Sequence, residues 1–297
     1  MQLHLVDATY ELFRAHYAPR PPTLGRDGVN LSGVSGIVDQ LLFLLREEGA
    51  THVGCATDHV IESFRNDMYA GYKSSAGMPP ELLSQFSIAE DAIRALGLVV
   101  WPMIEFEADD AIAAACVRFA PDPDIEQVLV CTPDKDMAQL VDDSHVVLLD
   151  RRRRITYDEE AVIDKWGVRP ASIPDWLALV GDSADGFPGV RGWGEKAAAG
   201  VLSQYSHLED IPKDWQSWHP SIKRAKALAT SLFESWDDAL LFRRLATLRL
   251  DVPVFDTVED LRWKGPRADF EEYCYRIQSK TLFGRATKAA SKTKSKP

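Results

Sequence analysis

Residues Val180–Ala199 read VGDSADGFPGVRGWGEKAAA, and the spacing within them decides how the chain divides. Asp182 and Asp185 stand at i and i+3, so in a short turn or helix they share one face. Beyond them Gly189, Gly192 and Gly194 punctuate a turn that runs into Glu195-Lys196. This G-x-x-G-x-G spacing is not the G-x-G-x-x-G of a dinucleotide site, and it lies far from an early strand–helix junction. The pattern predicts helix, tight turn, helix. Its glycines permit close approach to a passing backbone, and the first amides of the second helix suit a phosphate. By itself the stretch has two readings. One is metal chemistry on a nucleic acid beside a phosphate-gripping turn. The other is an ordinary helical hairpin whose glycines are caps and whose acids face water.

The chain has 297 residues, 45% hydrophobic and 27% charged, enough for one large domain or a main domain with a smaller appendage. No apolar run is long enough to span a bilayer, and Met1–Asp7 turns acidic too soon for a secretory signal. A cytoplasmic protein with no membrane partner is expected. Cys55, Cys116, Cys131 and Cys274 lack C-x-x-C spacing and read as buried, reduced thiols. The formal charge of −11 speaks at first against a nucleic-acid partner. It loses that force if the acids converge on cations, which change the local field.

Strand-like and helix-like runs alternate up to residue 150. Leu3–Val6, His52–Thr57, Leu98–Trp101, Gln127–Cys131 and Val146–Leu149 read as buried strands. Between them Tyr10–Tyr17, Val34–Leu45, Glu81–Leu96 and Glu107–Phe119 read as helices, while residues 59–80 have no clean period. Arg151–Arg154 with Ile155–Tyr157 reads as a hairpin edge. From Asp158 onward the patterns are helical: Glu159–Trp166, Ile173–Leu179, Glu195–Tyr205, Ile222–Trp236 and Asp238–Leu248. The expectation is an α/β domain with a largely parallel sheet and helices on both faces over 1–157. A helical domain follows over 158–285, with its hairpin near 183–205, and then a disordered tail over 286–297.

In an open parallel sheet the ligand crevice lies beyond the carboxyl ends of the strands. Asp7 and Asp58 end the first two strands, Asp134 and Asp136 follow the fourth, and Glu107, Asp109 and Asp110 open the helix after the third. Asp182 and Asp185 could close the site from the helical domain. So many carboxylates could not all stay ionised without cations. An all-oxygen set without a His-Cys group favours Mg²⁺, or Mn²⁺ in its place. Two such ions about 4 Å apart suit phosphodiester hydrolysis.

At these residues the sequence resembles the bacterial and phage 5′-nuclease family, which includes the 5′-nuclease domain of bacterial DNA polymerase I and the flap endonucleases. The resemblance is carried by Leu5-Val6-Asp7-Ala8 with Leu12-Phe13-Arg14-Ala15, by Phe64-Arg65 and Tyr72-Lys73, and by Glu107-Ala108-Asp109-Asp110. It continues through Thr132–Leu140 (TPDKDMAQL), Gly181–Lys196 and Leu240–Leu248. It implies a PIN-like nuclease core, an arch or clamp near 59–80, and a helix-three-turn-helix domain whose helix-hairpin-helix grips the duplex backbone. It also implies that Asp7, Asp58, Glu107, Asp109, Asp110, Asp134, Asp136, Asp182 and Asp185 form the full metal-ligand set. A K⁺ held by turn carbonyls around Val190 and Gly192 would belong to the same hairpin.

The same resemblance places Lys73, with help from Arg65, at the scissile phosphate. Lys196 and the amides of Gly192 and Gly194 would hold a duplex phosphate, and Arg14 would touch substrate. Tyr72 either stacks on a frayed base or packs, and Arg151–Arg154 either touch the duplex or form a solvated edge. The chain departs from the family at three places. No arginine follows Tyr72-Lys73, Gly186 stands where asparagine is usual, and Ala197 where threonine is usual. The resemblance implies a stand-alone, monomeric 5′→3′ exonuclease and flap endonuclease. Its substrates would be duplex DNA with a 5′ flap, nick or 5′ end, or an RNA primer–DNA hybrid. A branched-DNA-binding module with a dead centre, or an RNase of the broader PIN class, are the alternatives.

Overall fold

The structure, a computed structural model, describes residues 1–293 apart from Arg20, Phe255 and Lys280. It contains two compact units. The first combines Met1–Ile61 and Ser75–Cys131 with the chain from Leu250 onward; the second combines Glu62–Ser74 with Thr132–Arg249.

The first unit is built on four parallel strands: β1 (Gln2–Asp7), β2 (His52–Asp58), β3 (Val99–Met103) and β4 (Gln127–Cys131), in the order β3-β2-β1-β4. From Leu3 to Asp7 every residue of β1 is buried, so side chains on both faces of the sheet are covered, as a parallel sheet requires. The helices Ala8–His16, Gln85–Ala95 and Ala108–Phe119 contact these strands. The expected helix over 81–96 is two pieces, Pro80–Leu83 and Gln85–Ala95. The break serves a distant neighbour: Gln85 is fully buried, and its side-chain oxygen accepts the amides of Gly33 (3.0 Å) and Val34 (3.3 Å) at the start of the Ser32–Arg46 helix. A side chain from another element thus adds to the local cap from Asn30, whose Oδ1 accepts the Ser32 amide at 2.9 Å, on a helix whose N-cap residue Leu31 has no polar side chain.

The division of the chain does not follow the expected boundary at residue 157. Residues after Leu250 return to the sheet unit, where the Val53 amide bonds the Leu261 carbonyl (2.9 Å) and buried Trp263 donates from its indole to the Leu96 carbonyl (2.8 Å). A helix spans Leu282–Thr293, with Leu282, Ala286 and Ala289 buried. Residues 286–293 are therefore helical rather than disordered; an apolar stripe at helical spacing runs through the lysines and serines. Residues 294–297 of that expected tail lie outside the described residues. Cys55, Cys116, Cys131 and Cys274 are free and buried, and burial pushes the Cys116 thiol up to about 12. Among the described residues no helix is long and apolar enough to cross a membrane.

The second unit holds the antiparallel pair β5 (Val146–Asp150) and β6 (Ile155–Tyr157) and the helices Glu159–Trp166, Ile173–Val180, Glu195–Tyr205, Ala225–Glu234 and Trp236–Ala246. It also holds a short helix, Phe64–Met68, and several 3-10 stretches, among them Asp136–Leu140.

Candidate active site

In the first unit the expected acids stand at the carboxyl edge of the sheet, where each ends a strand or opens a helix, but among the described residues they form no carboxylate cluster. Asp7 ends β1 and caps the Ala8–His16 helix, its Oδ1 accepting the Tyr10 amide at 2.8 Å. Asp58 ends β2; its Oδ1 accepts the Ala108 amide (2.8 Å), and its own amide donates to Thr9 Oγ1 (2.8 Å). That pair of bonds ties the first two strand ends to the helix carrying Glu107, Asp109 and Asp110. Fully buried Asp110 accepts the Glu107 amide at 3.0 Å in a capping box.

The second unit brings three carboxylates closer. Oxygens of Asp136, Asp182 and Asp185 all lie within 4.8 Å of one another, the one such cluster among the described residues. Asp136 opens the 3-10 stretch, and its amide donates to Asp134 Oδ1 (3.1 Å), so Asp134 stands beside the triad rather than in it. Asp182 and Asp185 sit on a tight loop after the Ile173–Val180 helix, where the Asp182 amide donates to the Phe187 carbonyl (2.8 Å) and the Ala184 amide to Asp182 Oδ1 (2.9 Å). The loop can close only on glycine: at Gly189, with φ +70°, a Cβ would meet the Gly181 nitrogen at 2.3 Å.

Burial, with the charges of Asp134 and Asp185, raises the pKa of Asp136 well above the ordinary carboxylate range. Its Oδ1 is buried with no hydrogen-bond partner among the described residues. An orphaned oxygen amid like charges, in a set with oxygen donors only, is what a hard divalent cation would satisfy, and the triad fits one. Lys135 Nζ hydrogen-bonds Asp182 Oδ2 and stands 3.9 Å from Asp136 Oδ1. Burial works against its charge, but Asp136 and the bond to Asp182 outweigh it and hold its pKa above the usual value.

The segment expected to work on the scissile phosphate is fastened to the same triad. Lys73 Nζ is 3.0 Å from Asp185 Oδ1, the Tyr72 hydroxyl donates to Asp185 Oδ2 (3.2 Å), and the Lys73 amide donates to the Asp185 carbonyl (2.9 Å). Gly186 allows this approach. Its φ is +87°, and a Cβ there would lie 2.2 Å from the Gly71 carbonyl oxygen. The departure from asparagine thus has a steric reason in this chain. Gly186→Ala is expected to displace residues 71–73 and lower cleavage by about 10-fold or more, with duplex affinity unchanged; single-turnover rates measured beside binding isotherms check it.

Two expected substrate contacts are elsewhere engaged. Arg65 is 2% exposed and donates from Nε to the Leu245 carbonyl (2.8 Å) and from Nη2 to that of Thr247 (3.2 Å). It caps the C-terminal end of the Trp236–Ala246 helix, so burial removes it from the phosphate and makes it an anchor for the segment leading to Lys73. Gln139 donates to another carbonyl there, that of Ala246, at 3.0 Å. One helix end therefore sets the Lys73 segment and the Asp136 turn in register. Tyr72, 4% exposed, packs against the triad instead of offering a face for a base.

Arg14 pairs with buried Glu11 within the Ala8–His16 helix. Arg151–Arg154 form the β5–β6 turn, tied by the Arg153 amide to Asp150 Oδ1 (3.0 Å).

At the hairpin, Gly194 precedes the Glu195–Tyr205 helix, Gly192 has φ +86°, and Lys196 is exposed. The Val190 carbonyl accepts the Trp193 amide (3.1 Å). Two cavities of about 1080 and 300 Å³ adjoin the turn and share Arg224. Arg191 and Lys226 line the first, Lys196 and Lys223 the second. The signal for this cluster in the sequence is Lys223-Arg224-Ala225-Lys226, three cations within four residues of an acidic chain.

Similarity to known proteins places the chain among the nucleases. The chain belongs to the 5′-3′ exonuclease family: residues 2–167 match its N-terminal resolvase-like domain and residues 168–269 its C-terminal SAM fold. It is 30% identical to a 5′-3′ exonuclease of Aquifex aeolicus over 89% of this chain and 87% of that one. It is 35% identical to the DNA polymerase I of Mycobacterium leprae over 95% of this chain, and there it spans only 31% of the relative's length. The fold is also that of the phage T5 D15 flap endonuclease, solved with DNA and metal ions, at TM-score 0.64 and 18% identity, covering 99% of this chain and 100% of that one.

Proposed function

We propose that the chain is a divalent-metal-dependent 5′→3′ exonuclease and structure-specific 5′ flap endonuclease acting in the cytoplasm as a monomer. Its substrates are duplex DNA with a flap, nick or 5′ end, and RNA primers paired to DNA. The observation that carries this reading is the Asp136–Asp182–Asp185 triad, with its orphaned buried oxygen and Lys73 on Asp185. The ions would be Mg²⁺ or Mn²⁺, with one of them on Asp136, Asp182 and Asp185. When bound, such ions neutralise the oxygens of an in-line phosphoryl transition state and activate water.

The chain's own groups do the rest. Lys73 carries an ammonium to the scissile phosphate and offsets its growing charge. Arg65 and Gln139 hold the elements that bear Lys73 and Asp136 in register. Lys196 and the amides of Gly192 and Gly194 take a duplex phosphate, and Arg191, Lys223, Arg224 and Lys226 extend that grip along the backbone. This local positive surface reconciles a net charge of −11 with a polyanionic substrate. A K⁺ at the Val190 and Gly192 carbonyls would reinforce the turn. A DNA-binding module with a dead centre is disfavoured by the orphaned oxygen of Asp136, which costs stability unless a cation meets it. Product mapping on a 5′-labelled flap, a nicked duplex and single strand, in Mg²⁺ and in chelator, tests the reading. Cleavage near the flap junction, lost in chelator, is expected; binding without cleavage would favour the module.

A further inference from the structure

Lys135 lies between two of the acids assigned to metal, yet nothing in metal binding calls for a lysine there. Its ammonium is held on Asp182 Oδ2 and stands 3.9 Å from the buried Asp136 Oδ1. Lys73 holds the remaining member of the triad, Asp185, from the other side. Two ammonium groups thus face three clustered carboxylates, and Asp134 adds a fourth negative charge beside them. A divalent ion bound by Asp136 and Asp182 would compete for Asp182 Oδ2, which Lys135 hydrogen-bonds, and would repel the ammonium that stands 3.9 Å from Asp136 Oδ1.

We infer that Lys135 is a tethered counter-cation of the triad: it neutralises Asp136 and Asp182 in the metal-free protein and must swing out when a divalent ion binds. Loading is then an exchange of one cation for another. The triad keeps its shape without metal, at the cost of weaker affinity for it. The same exchange frees Lys73, because an ion on Asp185 draws that carboxylate away from its ammonium and leaves Lys73 for a substrate phosphate. The inference rests on the reading that this triad holds a divalent ion.

The test uses the full chain without DNA. Mn²⁺ affinity is measured by calorimetry and thermal unfolding in chelator, for wild type, Lys135→Met, Lys135→Arg and Asp182→Asn. Lys135→Met is expected to bind Mn²⁺ roughly tenfold more tightly yet unfold at a lower temperature in chelator, while Lys135→Arg stays near wild type in both. A lysine that only supported the fold would lower both stability and affinity when removed, so unchanged or weaker Mn²⁺ binding by Lys135→Met overturns the inference. If Lys135→Met does not fold, Lys135→Gln is measured against the same criteria. If wild type and Asp182→Asn bind Mn²⁺ identically, the metal reading of the triad fails with it. If those two differ while Lys135→Met matches wild type, only the role of Lys135 falls.

Discussion

Asp136→Asn is expected to lower metal-dependent flap cleavage by on the order of 10³-fold while leaving flap binding within about threefold of wild type. The amide keeps the shape of the carboxylate and removes a charge that the ion needs. The same change is expected to make the metal-free protein more stable, by roughly 1–2 kcal/mol, because a buried charge among like charges is relieved. Loss of activity with gain of stability distinguishes a ligand from a fold-supporting residue, which would lose both. The pH dependence has a definite sign. Asp136 keeps its proton to higher pH in the folded chain than in the unfolded one, owing first to burial and then to Asp134 and Asp185. Its contribution is therefore full below the ordinary carboxylate range and is lost as pH rises through the raised folded value. In chelator, the unfolding temperature of wild type should fall more steeply with rising pH than that of Asp136→Asn. Parallel curves would remove Asp136 from this role.

Lys73→Ala is expected to lower the rate constant of the chemical step by about 10²-fold. Its effect on substrate binding should be small, since the backbone grip lies at the hairpin. In the resting protein Lys73 is paired with Asp185, so the variant also removes an ammonium from that carboxylate, while the Tyr72 hydroxyl still donates to it and the residue-73 amide still donates to the Asp185 backbone carbonyl. Single-turnover cleavage at saturating enzyme separates the two effects. A loss confined to the dissociation constant would recast Lys73 as a clamp.

Local pattern made much of this legible before any coordinates. Gln127–Cys131 and Glu195–Tyr205 are the strand and helix expected, because an apolar run in one case and a glycine followed by helical spacing in the other mark both ends. The strand-end placement of Asp7 and Asp58 likewise follows from where the apolar runs stop. What stayed hidden was set by partners far away in the chain. Arg65 looks like a free cation in sequence, and only the carbonyls of Leu245 and Thr247 show that it is spent on a helix end. The break at Ser84 exists so that Gln85 can cap the Ser32–Arg46 helix, a bond across some fifty residues that no local period encodes. The return of the chain after Leu250 to the sheet depends on Leu261 and Trp263 meeting β2 and Leu96. Lys135 was hidden differently. It sits between two aspartates whose spacing carries the local signal, and only the placement of its ammonium on Asp182 sets it apart.

The tight loop after Val180 is constrained at two glycines. Its glycines do two separate jobs: Gly189 closes the loop that bears Asp182 and Asp185, and Gly186 admits the backbone that carries Lys73. The hairpin that follows supplies the grip on substrate.

The most direct test of the account is anomalous diffraction from crystals of the wild-type chain soaked in Mn²⁺. A peak is expected with carboxylate oxygens of Asp136, Asp182 and Asp185 at about 2.1 Å and the Lys135 ammonium displaced from Asp182. Mn²⁺ bound elsewhere, with the triad still held by Lys135 and Lys73, would contradict it.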